Sequence, residues 1–452
     1  MCPDDLINIF MTKINEKIDL HQIITEKYGE HFCASPWNSF HEGPKGLVST
    51  CCKSRTPIGW SNKQSFEDMY NSDHAKDTRA KFLRGEKPQQ CNACWHQEVK
   101  GEPSHNRTHG NRNSNLDDLD TLIAATDPDG TLHEHKPKWL DFLWTNKCNF
   151  ACLGCTPELS TTINNKYKKE FAVLNKGDSS YFGQMDEWKN SGANKVQYVL
   201  DHVDTIDNIH LNGGEPWLSE ETYELLEELL KRGLNKKIFI WSHTNGSVTR
   251  GYKGVDIVND YLVHWAHHGM AKVIMSSDGY GDRGEYIRYG YKDKKWLETY
   301  NKVRDAKLIL NIQTCWNVYN ALSVSELGEW YIDNCPPDNT SGLANIVDGS
   351  LTIWNNPTTS PDMLMYVPEL VEDAKQELRK MISSGKHPDT WKIHMRKWIN
   401  WFDKEDEFHT TNTENLKAWY DGTRLLDEKR GTDLCKTLPE LIPLYEMAKS
   451  IT

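Results

Sequence analysis

Long apolar runs are missing from this chain of 452 residues. No stretch approaches the roughly 18 to 20 apolar residues of a membrane-spanning helix, so no membrane association of that kind is expected. An excess of basic charge is missing too. Lys and Arg number 53 against 65 Asp and Glu, a formal net charge of −12. Non-specific binding to nucleic acid, which rests on cations meeting phosphates, is therefore not expected. The opening Met1-Cys2-Pro3-Asp4-Asp5 has no basic stretch leading into an apolar one, so no signal peptide is expected. Twelve cysteines without a secretion signal read as thiols in a reducing, cytoplasmic setting, available to metal rather than to disulfides.

The length suits two or three domains, or one large domain with additions. Hydrophobic residues at 37% and charged residues at 26% fit a folded protein, and the 17 tryptophans need a core or a pocket.

The cysteines are not scattered evenly. In Lys147-Cys148-Asn149-Phe150-Ala151-Cys152-Leu153-Gly154-Cys155, three residues separate the first pair and two the second. A tight loop brings such a trio to one face. Three soft thiolates suit an iron–sulfur cluster, and on a four-iron cube they leave one iron open for a substrate or cofactor. A zinc site completed by a distant histidine, or plain buried thiols, are the other readings of the trio.

A second group lies nearer the N-terminus. Residues 5–28 carry Leu6, Ile7, Phe10, Met11 and Ile14 at helical spacing. Cys33 and Cys51 then flank a stretch that reads as a hairpin with a Gly/Pro turn at 43–46, which would set them close together. Ser65–Lys87 reads as one helix, and Cys91-Asn92-Ala93-Cys94 follows it. Cys33, Cys51, Cys91 and Cys94 make a four-thiolate set that fits zinc or a fully ligated 4Fe–4S cluster equally well. Cys52 competes with Cys51, and Cys2 has no neighbouring partner. Residues 100–137 are polar and rich in turn signals, and read as a linker in which Ser104 and Arg107 could face the active site.

From residue 138 the pattern alternates. Strands are expected at Trp139–Trp144, Ile206–Leu211, Lys237–His243, Ala271–Ser276 and Leu308–Thr314, with a sixth within 343–354. Helical stretches lie between them, at Thr161–Asn175, Ser219–Gly233, Val255–Gly269 and Trp296–Ala306. Alternation of this kind predicts an α/β fold with a parallel sheet whose ligands bind at the carboxyl ends of the strands. The notable residues fall at those ends: the cysteine trio, Gly213-Gly214-Glu215-Pro216, Thr244-Asn245-Gly246 and Ser277-Asp278-Gly279. Cys315 follows the fifth strand and is a candidate proton or hydrogen-atom donor. Cys335 and Cys435 read as buried thiols. Val367–Ser384 and the aromatic stretch from Trp391 to Phe402 read as helices that close the barrel.

Cys-x3-Cys-x2-Cys with Gly-Gly-Glu-Pro resembles the radical S-adenosylmethionine (SAM) family. Cys33, Gly46, Cys51 and the Cys91/Cys94 pair resemble the auxiliary-cluster pattern of its SPASM/twitch group, placed here ahead of the barrel. The resemblance implies a partial (β/α)6 TIM-like barrel at 138–354. It also implies a twitch-like auxiliary domain at 1–110, a linker at 111–137 and a helical extension at 355–452. It implies an oxidoreductase-type enzyme with an open-iron 4Fe–4S cluster on Cys148, Cys152 and Cys155 and a second 4Fe–4S cluster on Cys33, Cys51, Cys91 and Cys94. SAM would be held by Gly213, Gly214, Glu215 and Pro216, with Asn245, Ser277, Asp278 and Arg288 around it. Its reductive cleavage would give a 5′-deoxyadenosyl radical that takes hydrogen from a peptide, a protein side chain or a sugar. A reductant such as flavodoxin or ferredoxin would serve as partner. Gly154 stands where the family loop usually has an aromatic residue against the adenine, so Phe150 is the candidate for that contact. The alternative from a different class is a non-catalytic zinc or iron–sulfur module.

Overall fold

The computed structural model describes residues 19–43, 46–54, 56–61, 63–99, 104–175, 195–335, 344–345, 352–353, 358–387, 389–403 and 412–451. The expected helix at 5–28 is seen as α1 (Leu20–Tyr28). Its earlier part, and Cys2, lie outside the described residues. In chain order the strands are β1 (Ser39–Glu42), β2 (Leu47–Ser49), β3 (Gly59–Trp60), β4 (Trp139–Thr145), β5 (Ala151–Cys152), β6 (Asn208–Gly213) and β7 (Phe239–Thr244). They continue with β8 (Ala271–Ser276), β9 (Arg288–Tyr289), β10 (Ile309–Gln313), β11 (Cys315–Trp316), β12 (Ala344–Asn345) and β13 (Thr352–Ile353). The chain divides into two compact units, each described below by itself.

The first unit holds the described residues of Met1–Leu143, Gln184–Asn212 and Glu228–Ile240. Its strand order is β7-β6-β4-β1-β2-β3. The hairpin is real but starts later than the sequence suggests. Ser35–Asn38 forms a helical turn, because Pro36 suits the first turn of a helix and not a paired strand. The strands are β1 and β2, antiparallel with His41 opposite Ser49. β1 also runs parallel to β4, with Phe40 beside Leu140 and His41 beside Asp141. Alternation then puts Phe40, Leu140, Phe142, Ile209 and Leu211 in the core.

The helix expected over Ser65–Lys87 is two, α2 (Phe66–Tyr70) and α3 (Asp73–Leu83). Ser72 breaks it by accepting from the amide of Ala75, a local alternative to the helical bond. Helices α4 (Asn92–Val99), α5 (His105–Arg112) and α6 (Leu116–Ala124) follow. The last two occupy the stretch expected to be a linker. Ser104 and Asn115 cap them, and Leu119 and Leu122 bury one face, a period too short to stand out among the flanking polar residues.

This unit carries a titratable group with an unusual setting. His135 Nε2 lies 2.6 Å from the Tyr198 hydroxyl, its ring meets Tyr70 edge-on at 4.0 Å, and Nδ1 is buried without a hydrogen-bond partner. Burial pulls its pKa down from 6.5 to about 3. A histidine depressed in the folded state stabilises above its unfolded pKa and loses that contribution as pH falls. From pH 6.5 to about 5 the expected loss is about 2 kcal/mol. Melting temperatures of wild type and His135→Phe at the two pH values check it, the variant showing the smaller drop.

The second unit holds the described residues of Trp144–Gly183, Gly213–Glu227 and Trp241–Thr452. Its strand order is β12-β10-β8 and the later part of β7, with only the last residues of β6 and β4 in this unit, an open, parallel-dominated arrangement that does not close on itself. The pairs β8/β10 and β10/β12 are parallel, with Leu310 beside both Val273 and Ala344. This is the partial barrel expected, its sixth strand reduced to Ala344–Asn345. Between strands lie α7 (Lys168–Leu174), α8 (Glu220–Lys231), α9 (Asp293–Asp305) and α10 (Val324–Asn334). The end of the chain is helical: α11 (Pro368–Ser383), α12 (Asp389–Asp403), α13 (Thr413–Arg430) and α14 (Ile442–Ser450). The aromatic stripe is core: Trp316 and Trp398 stack at 4.5 Å, with planes 2° apart. No helix among the described residues is long and apolar enough to cross a membrane.

Candidate iron–sulfur sites

The loop that leaves β4 carries Cys148, Cys152 and Cys155. Threonines hold its start: the Cys148 amide donates to Thr161 Oγ1 at 3.2 Å, and Thr162 Oγ1 donates to the Cys148 carbonyl at 2.7 Å. Its middle is fixed by β5, which pairs with β9 so that Cys152 lies beside Arg288. The Cys155 amide closes a turn onto the Cys152 carbonyl at 3.1 Å. Burial pushes all three thiols up; for Cys148 and Cys155 the neighbouring sulfurs push further, Cys155 to about 12. Buried thiols that oppose one another's ionisation become thiolates only against a concentrated positive charge, and clustered iron supplies one. Among the described residues no three His, Cys, Asp or Glu side chains converge as one metal ion requires.

Residues from the other strand ends surround the trio. The amides of Gly214 and Glu215 donate to the carbonyls of Thr145 and Lys147 at 2.7 and 2.8 Å, so the segment after β6 runs alongside the start of the cysteine loop. Gly213, at φ +138°, and Gly214 permit this approach; a Cβ on Gly214 would sit 2.6 Å from the Lys147 carbonyl. Glu215 is fully buried and burial lifts its pKa to about 7, against three hydrogen bonds. Its carboxylate accepts from the amides of Trp217 (3.2 Å) and Asn245 (2.6 Å) and from Thr244 Oγ1 (3.0 Å). Those bonds make it an internal clasp between the ends of β6 and β7. The clasp sets Asn245, whose Nδ2 donates to Asn149 Oδ1 at 3.0 Å and lies 3.9 Å from Cys148 Sγ.

After β8, Asp278 is fully buried. It accepts from Arg288 Nε at 2.7 Å and from the Cys315 amide at 2.7 Å. Arg288 Nη1 in turn lies 3.9 Å from Cys152 Sγ. Ser277 Oγ donates to the Gly279 carbonyl and Pro216 starts a short helical turn.

In the first unit, Cys33, Cys51, Cys91 and Cys94 form a set of their own. Burial pushes each thiol up, and Cys33, Cys51 and Cys91 are each pushed further by Cys94. Cys52 is exposed where Cys51 is half-buried, which favours Cys51 as the fourth thiol. Ser35 donates to Cys33, and Ser104 and the Arg107 amide donate to Cys94, bonds that favour thiolates.

Family comparison puts names to both cysteine groups. Residues 33–95 match the SPASM iron–sulfur cluster-binding domain, and residues 140–260 match the 4Fe–4S single cluster domain. Both cysteine groups thus fall in segments similar to iron–sulfur cluster-binding domains. No curated protein matches it. Among solved structures, native anSMEcpe with bound AdoMet is 20% identical over 43% of this chain and 49% of that one, at a TM-score of 0.29. Streptococcus suis SuiB bound to S-adenosylmethionine is 14% identical over 58% and 54%, at 0.31. SuiB bound to precursor peptide SuiA is 13% identical over the same shares, at 0.31. The chain spans about half the length of these structures.

Three residues lie elsewhere than the sequence suggests. Phe150, the candidate for the adenine, is 1% exposed and packs against Gly290, so its ring is used inside the loop. Ser104 and Arg107 serve the N-terminal cysteines rather than the barrel. Arg107 pairs with Glu98 at 2.7 Å and donates to the Glu30 carbonyl at 2.8 Å. Sequence reasoning missed Arg430 altogether. Its guanidinium donates to the Ala151 carbonyl at 2.7 Å, across 279 residues of chain.

Proposed function

We propose that the chain is a radical SAM enzyme in which Cys148, Cys152 and Cys155 hold a 4Fe–4S cluster with one open iron, and Cys33, Cys51, Cys91 and Cys94 hold an auxiliary 4Fe–4S cluster. The clusters, when bound, supply the electron that splits SAM into methionine and a 5′-deoxyadenosyl radical able to take hydrogen from a substrate C–H bond, the second cluster assisting electron transfer. The observation that carries the reading is the meeting of three buried thiols with the ends of β6, β7 and β8 at one edge of the sheet.

The chain's own residues divide the work. The backbone carbonyls at Gly213, Gly214 and Pro216 are the acceptors proposed for the ammonium of SAM beside the cysteine loop. Glu215 holds Asn245 in place from within. Asn245 and Arg288 direct N–H groups towards Cys148 and Cys152, which favours thiolate over thiol. Asp278 and Ser277 complete the rim, Asp278 by fixing Arg288. Residues 1–110, 111–137, 138–354 and 355–452 are proposed as auxiliary domain, connection, barrel and helical extension. The substrate is a peptide, a protein side chain or a sugar, and flavodoxin or ferredoxin is the proposed reductant. Reconstituted protein, reduced without oxygen in the presence of SAM, is expected to release 5′-deoxyadenosine. Deuterium passing into that product from a labelled candidate would identify the substrate. Protein with both clusters loaded that leaves SAM intact would overturn the reading.

A further inference from the structure

We propose that Arg430 is a positioning residue for the cluster on Cys148, Cys152 and Cys155, its unmatched positive charge setting how readily that cluster accepts an electron. The inference rests on the proposed function.

Arg430 is the last residue of α13. That helix runs close along α7, and Gly422 makes the approach possible: a Cβ there would sit 2.7 Å from Leu174 Cα. Arg430 is thereby delivered to the cysteine loop. Nη2 donates to the carbonyl of Ala151, the residue before Cys152. The guanidinium is enclosed by rings, with centroids at 4.7 Å for Tyr289, 5.1 Å for Tyr167 and 5.7 Å for Phe171. Nε is buried with no hydrogen-bond partner, and no described carboxylate makes an ion pair with Arg430. The aromatic faces and the negative end of the helix offset part of the cost of burying it. Neither cancels its charge as a carboxylate would.

Two guanidiniums therefore meet the loop at Ala151 and Cys152. That of Arg288 is matched by Asp278 at 2.7 Å. That of Arg430 is not matched. Adding an electron to a cluster adds negative charge. A fixed cation close by, in surroundings poor in water, stabilises the reduced state more than the oxidised one. A plain staple tying α13 to the loop would need the hydrogen bond and the packing but not the charge.

The test is a potentiometric titration followed by electron paramagnetic resonance on the full-length protein with both clusters loaded. Cys148→Ala protein supplies the signal of the auxiliary cluster alone, for subtraction. Arg430→Met is expected to lower the potential of the Cys148 cluster, while Arg430→Lys, which keeps the charge, stays near wild type. Iron content should match wild type in both. Unchanged potential in a fully loaded Arg430→Met protein would overturn the inference. So would equal shifts in Met and Lys variants, or loss of iron in both, since either marks a staple. If wild-type protein shows only the signal that survives Cys148→Ala, it is the proposed function that fails.

Discussion

Cys148→Ala is expected to reduce bound iron from about eight to about four per chain, the content of one remaining 4Fe–4S cluster, and to abolish 5′-deoxyadenosine formation. The change removes one thiolate of three, and a cube that already lacks a fourth protein ligand has no spare contact. The loop itself should survive. Its bonds at position 148 run through the backbone, to Thr161 Oγ1 and from Thr162 Oγ1, and alanine keeps both. The four thiols near the N-terminus belong to another compact unit, so their iron should stay. Iron and sulfide analysis, visible absorption and product chromatography read the outcome together. Cys33→Ala is the mirror experiment, with the Cys148 cluster retained. Retention of full iron in Cys148→Ala would show that the trio is not a ligand set. Loss of all iron would show that the two groups load as one.

Much of the barrel was readable because one rule governs it. Strands β6, β7 and β8 each end in a glycine-rich or polar turn, and parallel strands bring such turns to one edge. Ala271–Ser276 was placed to the residue, and β4, β6, β7 and β10 within about two, the usual uncertainty at element ends. The first unit was harder. β1 lies parallel to β4 across a hundred residues, and nothing local to Ser39–Glu42 signals a distant partner. The two helices in the expected linker are short, and their Asp and Asn content mimics a loop. α13 runs unbroken through Gly422, which is held inside it by close packing on Leu174. At the site, the cysteines were legible because spacing alone makes them a chelate. Glu215 was legible as a residue but not as a clasp, since its partners lie 29 and 30 residues on at Thr244 and Asn245. Arg430 had no signal at all. An arginine on an exposed-looking helix becomes a buried cation only when α7 and β9 fold around it.

Gly214→Ala is expected to cost about 2 to 4 kcal/mol and to strip the Cys148 cluster without touching a ligand. The added Cβ would lie 2.6 Å from the Lys147 carbonyl oxygen, 2.9 Å from Asn146 C and 2.9 Å from the Leu159 carbonyl oxygen. All three are backbone atoms, so no side chain can rotate away. The Gly214 and Glu215 amides are tied to Thr145 and Lys147, so the segment after β6 cannot retreat without breaking both bonds. What moves is Lys147, and Cys148 moves with it. Asn146 shifts too, and its carbonyl holds the amide of Thr161, which in turn holds Cys148. A strained loop spreads its three thiols, and a rigid cube tolerates little spread. Gly43→Ala is the control. Its Cβ would meet nothing closer than the Leu47 carbonyl at 3.6 Å, an ordinary contact, and it lies in the other unit. Denaturant unfolding and iron analysis on both variants decide the matter. Gly214→Ala protein that keeps full iron and wild-type stability would mean that the close approach of β6 and the cysteine loop does not hold the site in shape.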